Sequence, residues 1–540
     1  MRGWMMWILL LAAIFGGSGC LRRVDWAAEH GVLLLGNGAE PKTLDPSLVQ
    51  SVGDSNITQA LFEGLVNFDL QRDKVDAPGV AESWESRENH TIWTFHLRNN
   101  ARWSNGDPVT APDFVYAFQR ILAPKFASER ASMLYFLEHA EDFNKSKLED
   151  FGQVGVRALD DLTLECRLRQ PTAFFPSVLK HHAWYPVHRA TVEKFGKMTD
   201  RFTPWQRPGN HVGNGPFLLK EWRVNQWVAV APNPYYWDAA AVRLKEIRFL
   251  PLETFSDERL FRGGQHHYTY TIPNNLIEKY RRERPDLLRI EPYLGSYFFR
   301  CNVKRPPFDD PKVRQALALA IDRDKIVRYI TMGGQLPASG FTPPIEGLYE
   351  PLRSVRFDPA RARQLLAESR YAGDFPKIEL LINTSEQHRK IAEAVQDMWR
   401  QHLNLRKDKV SINNQEWKVF QDTTFRMNYD ISRAAWIADY VDPTSFLDMW
   451  RTDDSNNYTG WSSAEYDSLL QQAALEATPD QRMAKLHQAE RILLEEMPIL
   501  PLYWYTRVYL LDPRVRNWYP MVLDKRDYRH IYFELPGASS

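Results

Sequence analysis

Residues 91–122 read TIWTFHLRNNARWSNGDPVTAPDFVYAFQRIL, and this stretch decides the class of the fold. Trp93, Phe95 and Leu97 alternate with more polar residues, which predicts a strand with one buried face. Turn residues at 99–107 end that strand, and Thr110-Ala111-Pro112-Asp113 has the spacing of a helix start with a capping box. A strand, a turn and a helix in close succession are typical of a mixed α/β chain.

The same alternation continues through the rest of the chain. Further strand patterns lie at 293–302, 378–383, 410–413 and 430–434. One helix begins at Asp310-Pro311 and is expected to end at Gly333-Gly334, and another begins at Thr384-Ser385. No internal repeat or low-complexity tract interrupts the pattern. The sequence therefore predicts an α/β fold.

Composition places the chain among large globular proteins. Its 540 residues include 68 Lys+Arg and 68 Asp+Glu, and this balance argues against nucleic-acid binding, which needs a surplus of cations. With 44% hydrophobic and 25% charged residues, a disordered, collagen-like or multi-span membrane protein is excluded. At about 150 residues per domain, the length suggests about three domains.

The N-terminus has the parts of a secretory signal peptide. A short basic start at residues 1–3 precedes an apolar run at 4–15 and the small residues at 16–19. The run is shorter than the about 20 residues of a membrane span. Cys20 follows and resembles the lipidated cysteine of bacterial lipoproteins, although Gly17 stands where those proteins have an aliphatic residue. We expect residues 1–19 to be removed and Cys20 to carry a lipid; an ordinary export signal is the alternative.

The other candidate metal or redox residues are few. An exported protein permits Cys166 and Cys301 to pair, and burial of both as free thiols is the alternative. The adjacent pairs His181-His182 and His266-His267 are predicted to be surface or hydrogen-bonded histidines, because successive side chains rarely face the same way. We expect no metal site and no cofactor.

Catalytic signatures are absent from the sequence. It contains no G-x-S-x-G, H-E-x-x-H, C-x-x-C or G-x-x-x-x-G-K. Gly36-Asn37-Gly38 lacks the third glycine of a dinucleotide fingerprint and is expected to form a turn. The sequence thus favours a protein that is not an enzyme and has no catalytic residue, and an exported hydrolase with a carboxylate pair is the alternative.

Short blocks in a fixed order carry the most specific signal. They are GAEPKTLDP (38–46), LFEGL (61–65), AESW (81–84), WSNGDPVTA (103–111), NGPF (214–217), NPYYWD (233–238), PFDD (307–310), NTSE (383–386), NQEWK (414–418) and RAAWIADY (433–440). In this order they resemble the extracellular peptide-binding proteins of bacterial ABC importers, solute-binding protein family 5. The resemblance spans nearly the whole mature chain.

The resemblance implies a fold and a division of the chain. The fold is that of a type II periplasmic binding protein, with two lobes joined by a hinge and an extra third domain. Lobe I would comprise residues 21–53, 184–294 and 506–540. The extra domain would be 54–183 and lobe II 295–505. In such a fold the lobes close over the ligand by a hinge motion.

The resemblance also implies which residues hold a peptide by its ends. Asp439 matches the aspartate that pairs with the ligand's α-amine, Arg433 an arginine that reaches a short peptide's carboxylate, and His388 a histidine used for a longer one. The residues that match cleft-lining positions are Tyr116, Trp417, Trp436 and Glu40. Each has a structural alternative: an ion pair for Asp439 and Arg433, a helix start for His388, core packing for the aromatic residues and a turn for Glu40.

Some positions depart from the family pattern. Gly295 and Ile437 stand where family members often have paired cysteines beside the ligand, so that disulfide cannot form. Thr424 replaces a familiar arginine near the cleft, and Arg300 introduces a charge into a normally uncharged strand. These departures leave the preferred ligand length and charge open.

Together these features predict a binding component of an ABC importer. We expect a monomer that lies in the periplasm or on the cell surface, held to the membrane by a lipid on Cys20. It would bind oligopeptides between its lobes and deliver them to the permease subunits, without binding nucleic acid. The alternatives are a receptor for murein peptides, dipeptides or another small solute.

Overall fold

The computed structural model describes residues 22–69, 76–452, 454, 456–476 and 478–535. The predicted signal peptide and Cys20 lie outside the described residues. Within them, no helix is both long enough and apolar enough to span a membrane.

Strands occur along the whole described chain. In chain order they are β1 (Val32–Gly36), β2 (Val66–Phe68), β3 (Asp76–Pro78), β4 (Ala81–Arg87), β5 (Ile92–Leu97), β6 (Val156–Asp160), β7 (Thr163–Arg167), β8 (Phe217–Arg223), β9 (Trp227–Pro232), β10 (Glu246–Leu250), β11 (Leu288–Cys301), β12 (Leu336–Pro337), β13 (Ile378–Asn383), β14 (Val410–Gln415), β15 (Ile431–Ile437), β16 (Ile499–Leu510), β17 (Val515–Arg516) and β18 (Tyr532–Phe533).

Helices alternate with these strands. In chain order they are α1 (Arg23–Glu29), α2 (Val52–Leu61), α3 (Ala111–Leu122), α4 (Ala140–Asn144), α5 (Phe175–Val178), α6 (Arg189–Lys194), α7 (Thr254–Arg262), α8 (Asn274–Glu283), α9 (Pro311–Leu319), α10 (Arg323–Ile326), α11 (Pro359–Ala367), α12 (Glu386–Leu403), α13 (Trp417–Phe425), α14 (Thr444–Leu447), α15 (Ala464–Leu475) and α16 (Pro479–Glu496).

Three larger sheets organise the chain. The first has the order β1-β10-β9-β8, the second β12-β16-β11-β15-β13-β14, and the third β4-β5-β7-β6. In the first sheet β1 runs parallel to β10, and in the second β13 runs parallel to both β14 and β15. The third sheet is antiparallel throughout. The α/β class predicted from the sequence is confirmed.

Two long antiparallel strands, β11 and β16, connect the first sheet with the second. Their pairing runs from Leu288–Leu510 to Pro292–Thr506, shifts register, and resumes at Ser296–Trp504. Beyond one end, Tyr268 bridges both Leu35 of β1 and Leu511. A bulge bends a strand pair locally, so the β11–β16 pair is bent between Pro292 and Ser296.

Two large apolar clusters support these sheets. One joins the first and third sheets through residues such as Phe249 of β10 and Phe95 of β5. The other packs Phe298 of β11 and Leu380 of β13 against Trp399 of α12. Burial on this scale fixes each strand's register, because a shift of one residue would turn the apolar face toward water.

The opening stretch of sequence folds largely as expected. Trp93, Phe95 and Leu97 are buried on β5, and the N–H of Thr110 donates to Asp113 at 2.9 Å where α3 begins. The other strand patterns and the helix after Ser385 also form. The predicted division into lobe I, the extra domain and lobe II stays a prediction.

The helix expected from Asp310 to Gly333-Gly334 is wrong in its length. It ends at Leu319, and a separate short helix begins at Arg323. Asp322 starts the second helix by accepting the N–H of Lys325 at 3.1 Å. The guanidinium of Arg323 meanwhile donates to the carbonyls of Ala318 and Ile321 at 3.1 Å, which satisfies acceptors that a continuing helix would have used.

Candidate functional site

The predicted binding residues Arg433, Trp436 and Asp439 lie on β15 or just beyond its end. One edge of β15 pairs with β11 from Ile431 to Ile437. The other edge pairs with β13 only at Ile431 and Ser432. Within the described ranges, no ladder covers the second edge from Arg433 to Ile437, so its backbone donors and acceptors are open to another extended chain.

The predicted absence of a disulfide at this strand has a structural counterpart. Gly295 of β11 is the register partner of Ile437. A Cβ on Gly295 would approach Ile437 Cδ1 to 2.3 Å, so the isoleucine fills the space beside the glycine. Cys166 and Cys301 are both buried free thiols, so the alternative in which they pair is not formed.

Asp439 provides a partly buried carboxylate. Its side chain is 22% exposed and lies 3.8 Å from His181 Nε2 and 4.0 Å from Arg130 Nη1. Its backbone N–H donates to Ser445 Oγ at 3.0 Å, which fixes the segment. No donor in the described part of the chain comes within hydrogen-bonding distance of its carboxylate oxygens. The carboxylate can therefore still accept hydrogen bonds from a bound group.

The groups around Asp439 differ in their protonation states and in their effect on its pKa. Burial raises the pKa of Asp439, and the positive charges of Arg130 and Lys525 oppose that shift. Burial lowers the pKa of Lys525 to about 8, so this amine is still mostly protonated at neutral pH. Burial and nearby cations lower the pKa of His181 well below its ordinary value, so His181 is neutral there.

Arg433 provides a guanidinium with unused donors. Its Nη1 donates to Asn383 Oδ1 at 3.4 Å, and its Cζ lies 5.1 Å from the centre of the Tyr297 ring. Its Nε is buried and has no partner among the described residues. Tyr503 stacks on Tyr297 with 4.8 Å between ring centres, and Tyr505 packs edge-on against both. A guanidinium carries five donors, so Arg433 retains capacity for a carboxylate.

His388 lies in the first turn of α12 and faces the same aromatic group. Its N–H donates to Ser385 Oγ at 3.4 Å, and its Nδ1 lies 3.2 Å from the hydroxyl of Tyr297. Burial, together with the charge of Arg433, lowers its pKa to about 3. His388 is thus neutral above that pH and offers a hydrogen bond rather than a charge.

A cavity of about 440 Å³ opens beside Asp439. Its apolar wall includes Trp436, Phe136 and Tyr440, and Arg130 lies on its rim. Trp436 is fixed there because its Nε1 donates to the carbonyl of Ser445 at 2.6 Å. Cavities of this size, with mixed apolar and polar walls, are typical of small-ligand sites. A larger cavity, of about 580 Å³, lies between α1, α7 and α8 and contains none of the predicted residues.

Three predicted residues are placed elsewhere, and no hydrogen bond, ion pair or ring contact joins them to Asp439 or Arg433 in the described residues. Both oxygens of Glu40 are occupied, by Trp222 Nε1 at 2.7 Å and the N–H of Asn225 at 3.0 Å. Tyr116 is buried in the first apolar cluster. Trp417 is 48% exposed at the start of α13 and stacks on Phe420. Their role in binding stays a prediction.

Of the remaining departures from the family pattern, Thr424 is buried on α13 and Arg300 is partly buried. Burial lowers the pKa of Arg300, whose Cζ lies 5.3 Å from the centre of the Tyr458 ring and whose Nε has no partner in the described part of the chain. No group of three or more His, Cys, Asp or Glu among the described residues is arranged to hold a metal ion.

Sequence reasoning missed the residues that face Asp439 and Arg433. Arg130, His181 and Lys525 come from positions with no common motif, and the same holds for Tyr503 and Tyr505. The His181-His182 pair was the one visible signal. The prediction that these histidines are hydrogen-bonded is confirmed, and the alternative that they lie on the surface is wrong. His181 and His182 are buried, with their Nδ1 atoms 3.3 Å apart.

Comparisons with known proteins place the chain in a family. The family model for bacterial extracellular solute-binding proteins, family 5, matches residues 77–458. The periplasmic oligopeptide-binding protein OppA of Salmonella typhimurium is 39% identical over 502 residues, which is 91% of this chain and 90% of that protein.

Solved structures extend the similarity to the fold. The murein tripeptide binding protein MppA of Escherichia coli superposes with a TM-score of 0.82 and 35% identity, covering 93% of this chain and 98% of that one. OppA of Haemophilus influenzae in complex with the peptide RPPGFSPFR gives a TM-score of 0.81 and 33% identity, covering 94% and 99%.

Proposed function

The chain belongs to the bacterial extracellular solute-binding proteins of family 5, and on that premise we propose that it binds oligopeptides outside the cytoplasm and delivers them to the permease of an ABC importer. In this role it is a binding protein and not an enzyme. The energy for transport comes from the importer's ATPase, so the receptor needs only to capture and release its ligand.

One observation carries this proposal: the open edge of β15 is flanked by a carboxylate and a guanidinium that both have unused hydrogen-bonding capacity. An extended peptide adds to such an edge through its backbone, independently of its side chains. Its ammonium matches Asp439, and its terminal carboxylate matches Arg433. A zwitterionic peptide can therefore pair with Asp439 and Arg433 at the same time.

The spacing of the two charged residues limits the ligand held at both ends. Asp439 follows Arg433 by six residues, and six steps of about 3.3 Å span at most about 20 Å. Subtracting a hydrogen bond of about 3 Å at each end leaves about 14 Å, the length of about four extended residues. Longer peptides require another group for their carboxylate, and His388 is the candidate.

Calorimetry with matched peptides tests this proposal. We expect unmodified tri- to pentapeptides to bind, and N-acetylation of the same peptide to weaken binding at least about 100-fold, since a buried charge pair loses one partner. C-terminal amidation should weaken the binding of peptides longer than about four residues less than that of shorter ones. Equal affinity for free and N-acetylated peptides would contradict end recognition, and cleavage of the peptide during incubation would favour an exported hydrolase.

A murein peptide is the second candidate ligand. The similarity to MppA, whose name describes murein tripeptide binding, supports it. The open edge of β15 favours an ordinary α-linked backbone instead, because its donors and acceptors recur at the strand repeat. Mass spectrometry of ligand that co-purifies from the native compartment distinguishes the two, since a γ-linked peptide with meso-diaminopimelate differs in mass and fragmentation.

The location and state of the receptor are part of the proposal. We propose a lipid on Cys20 that holds a monomer at the membrane surface, in the periplasm or on the cell exterior. Metabolic labelling with a radioactive fatty acid should mark the wild-type protein and not Cys20→Ser. Sedimentation of the delipidated protein should give the mass of one chain, and a label on Cys20→Ser would contradict the anchor.

A further inference from the structure

The groups that face Asp439 come from three separate parts of the chain and are themselves held in place. Arg130 precedes α4, His181 follows α5, and Lys525 lies between β17 and β18. The Nε of Arg130 donates to the carbonyl of Val49 at 3.2 Å, and its Nη2 donates to that of Gln50 at 3.1 Å.

Lys525 is held in a similar way, because its Nζ donates to Ser55 Oγ at 2.8 Å. Neither cation donates a hydrogen bond to Asp439 within the described residues, although both lie close enough to act on its charge. Arg130 is thus fixed at 4.0 Å from the carboxylate, Lys525 acts on the same charge, and both leave the oxygens of Asp439 open.

Two histidines and a tyrosine near Asp439 carry no charge at neutral pH. His181 and His182 are neutral at neutral pH, since burial lowers the pKa of each well below its ordinary value. Burial raises the pKa of Tyr440 well above its ordinary value, so its phenol is neutral too. Asp524, next to Lys525, is paired with Arg507 at 2.8 Å and Arg526 at 2.7 Å. The cavity beside Asp439 is also lined by charged residues of both signs, namely Glu129, Glu141, Lys145, Arg169, Asp448, Arg451 and Asp454. The positive charges of Arg130 and Lys525 are those that oppose the effect of burial on the pKa of Asp439.

A partly buried carboxylate is costly to ionise. Burial favours its neutral form, whereas a positive charge within about 4–6 Å favours the ionised form by about 1–3 pH units. Only the ionised form attracts an ammonium group. Cations that do not bond to Asp439 can therefore serve binding by preserving its charge.

Resting on the proposed function, in which Asp439 receives the peptide's ammonium, we propose that Arg130 and Lys525 are positioning residues that keep Asp439 ionised and so set the lowest pH at which peptides are captured. They act through Asp439 and need not contact the ligand. This role is separate from holding the protein together, because it predicts a change in pH dependence.

The same cations also repel the ligand's ammonium. Removing one has two opposite effects: Asp439 loses its proton at a higher pH than before, and the repulsion felt by the ammonium decreases. Above the pH range in which Asp439 ionises, affinity should stay unchanged or increase. Under acidic conditions, where Asp439 takes up a proton, affinity should decrease earlier than in the wild type. Plots of affinity against pH for the variant and the wild type should therefore cross or converge as the pH rises.

The experiment measures the Kd of one unblocked tetra-alanine peptide by calorimetry from pH 4.5 to 7.0, below the range in which its ammonium titrates, about pH 7.7–8.0. The variants are Arg130→Met, Arg130→Lys and Lys525→Met. Arg406→Met is the matched control, because Arg406 is 77% exposed and pairs with Asp408 on the surface.

We expect the acidic loss of affinity to move up by about one pH unit in Arg130→Met and Lys525→Met, and to stay at the wild-type position in Arg406→Met. Arg130→Lys keeps the positive charge and should therefore keep the wild-type pH profile, even though lysine cannot reproduce both bonds to the carbonyls of Val49 and Gln50. If Arg130→Met does not fold, Lys525→Met provides the same test, because the methionine side chain is similar in length to the aliphatic part of lysine.

Two outcomes separate this inference from the proposed function. Equal wild-type affinity for free and N-acetylated peptide would overturn the proposed function. Intact discrimination against the acetylated peptide, with Arg130→Met and Lys525→Met following the wild-type pH profile, would overturn only the positioning role. A uniform loss of affinity at every pH, shared by Arg130→Met and Arg130→Lys, would also overturn it, since that is the result of lost structure.

Discussion

At the Asp439 end, fixed cations face a carboxylate, whereas at the Arg433 end three tyrosines and an asparagine face a guanidinium. No acidic side chain pairs with Arg433 among the described residues. The amine end thus already contains charges of both signs, whereas the described residues at the carboxyl end contribute the positive charge of Arg433 alone. A ligand carboxylate would neutralise Arg433, while a ligand ammonium must compete with cations already present. Recognition at the amine end should therefore be the more selective.

Removing the charge of Asp439 should have the largest effect on this comparison. Asp439→Asn keeps the shape but leaves the ligand's ammonium beside Arg130 and Lys525 without a counter-charge. We expect peptide affinity to decrease at least about 100-fold, which corresponds to about 3 kcal/mol. Calorimetry with one unblocked tetrapeptide measures this loss.

The matched control is Asp442→Asn, three residues further along the chain. Asp442 is already paired with Arg482 through two bonds of 2.7 and 2.8 Å. Breaking such a partly buried pair should lower the free energy of unfolding by about 3 kcal/mol and leave peptide affinity close to that of the wild type. If Asp439→Asn instead lowered stability and kept affinity, Asp439 would be the structural residue of the two.

Removing the charge of Arg433 should have a smaller effect that depends on ligand length. Arg433→Met keeps the aliphatic stem, and we expect peptides of up to about four residues to bind about 10–100-fold more weakly. The same peptides with an amidated C-terminus should bind the variant and the wild type equally. An equal loss for free and amidated peptides would show that Arg433 acts on the fold.

Arg323→Met provides the contrast for Arg433. Arg323 is buried, and its Nε and Nη1 donate to the carbonyls of Pro501, Ala318 and Ile321 at 2.7–3.1 Å, whereas its Nη2 has no partner among the described residues. Its substitution should lower the melting temperature without changing the preference for a free C-terminus. The comparison thus separates an arginine held by three backbone carbonyls from one beside the open edge of β15.

The two ends also differ in how far sequence could predict them. The RAAWIADY block at 433–440 brought both Arg433 and Asp439 to attention, and a single strand delivers both. The cations around Asp439 and the tyrosines around Arg433 could not be predicted, because they meet only through contacts between distant segments. Long-range packing of this kind has no local periodicity to detect.

The fold, too, has features that the sequence predicted and features that it did not. The strands predicted at 91–98, 293–302, 378–383, 410–413 and 430–434 all form, since burial fixes their faces, whereas the apolar strands β1 and β16 were not predicted. The interruption after Leu319 was missed because Val313, Ala316, Leu317 and Ile321 keep helical spacing across it. The reason for the break, Arg323 reaching back to two carbonyls, depends on side-chain direction and not on pattern.

His388 tests whether the carboxyl end uses charge beyond Arg433. Because its pKa is lowered to about 3, the histidine gains a proton only as the pH falls toward that value. We expect His388→Ala to weaken binding of peptides longer than four residues by about 5-fold, the loss of one neutral hydrogen bond of about 1 kcal/mol. The ratio of variant to wild-type Kd should stay constant from pH 5 to 8. A ratio that grows as the pH falls from 7 to 5 would mean that ligand binding protonates His388.

Trp417 should give the smallest effect and marks the limit of the site. It is 48% exposed, and its ring contact is with Phe420 of the same helix. Trp436, in contrast, lines the cavity beside Asp439 and is fixed by a 2.6 Å bond to Ser445. We expect Trp417→Ala to change peptide affinity by less than about twofold, below about 0.5 kcal/mol, and Trp436→Phe to change it more. A larger loss in Trp417→Ala than in Trp436→Phe, measured with the same tetrapeptide, would mean that α13 reaches the ligand when the lobes close, and it would extend the site beyond the two ends of β15.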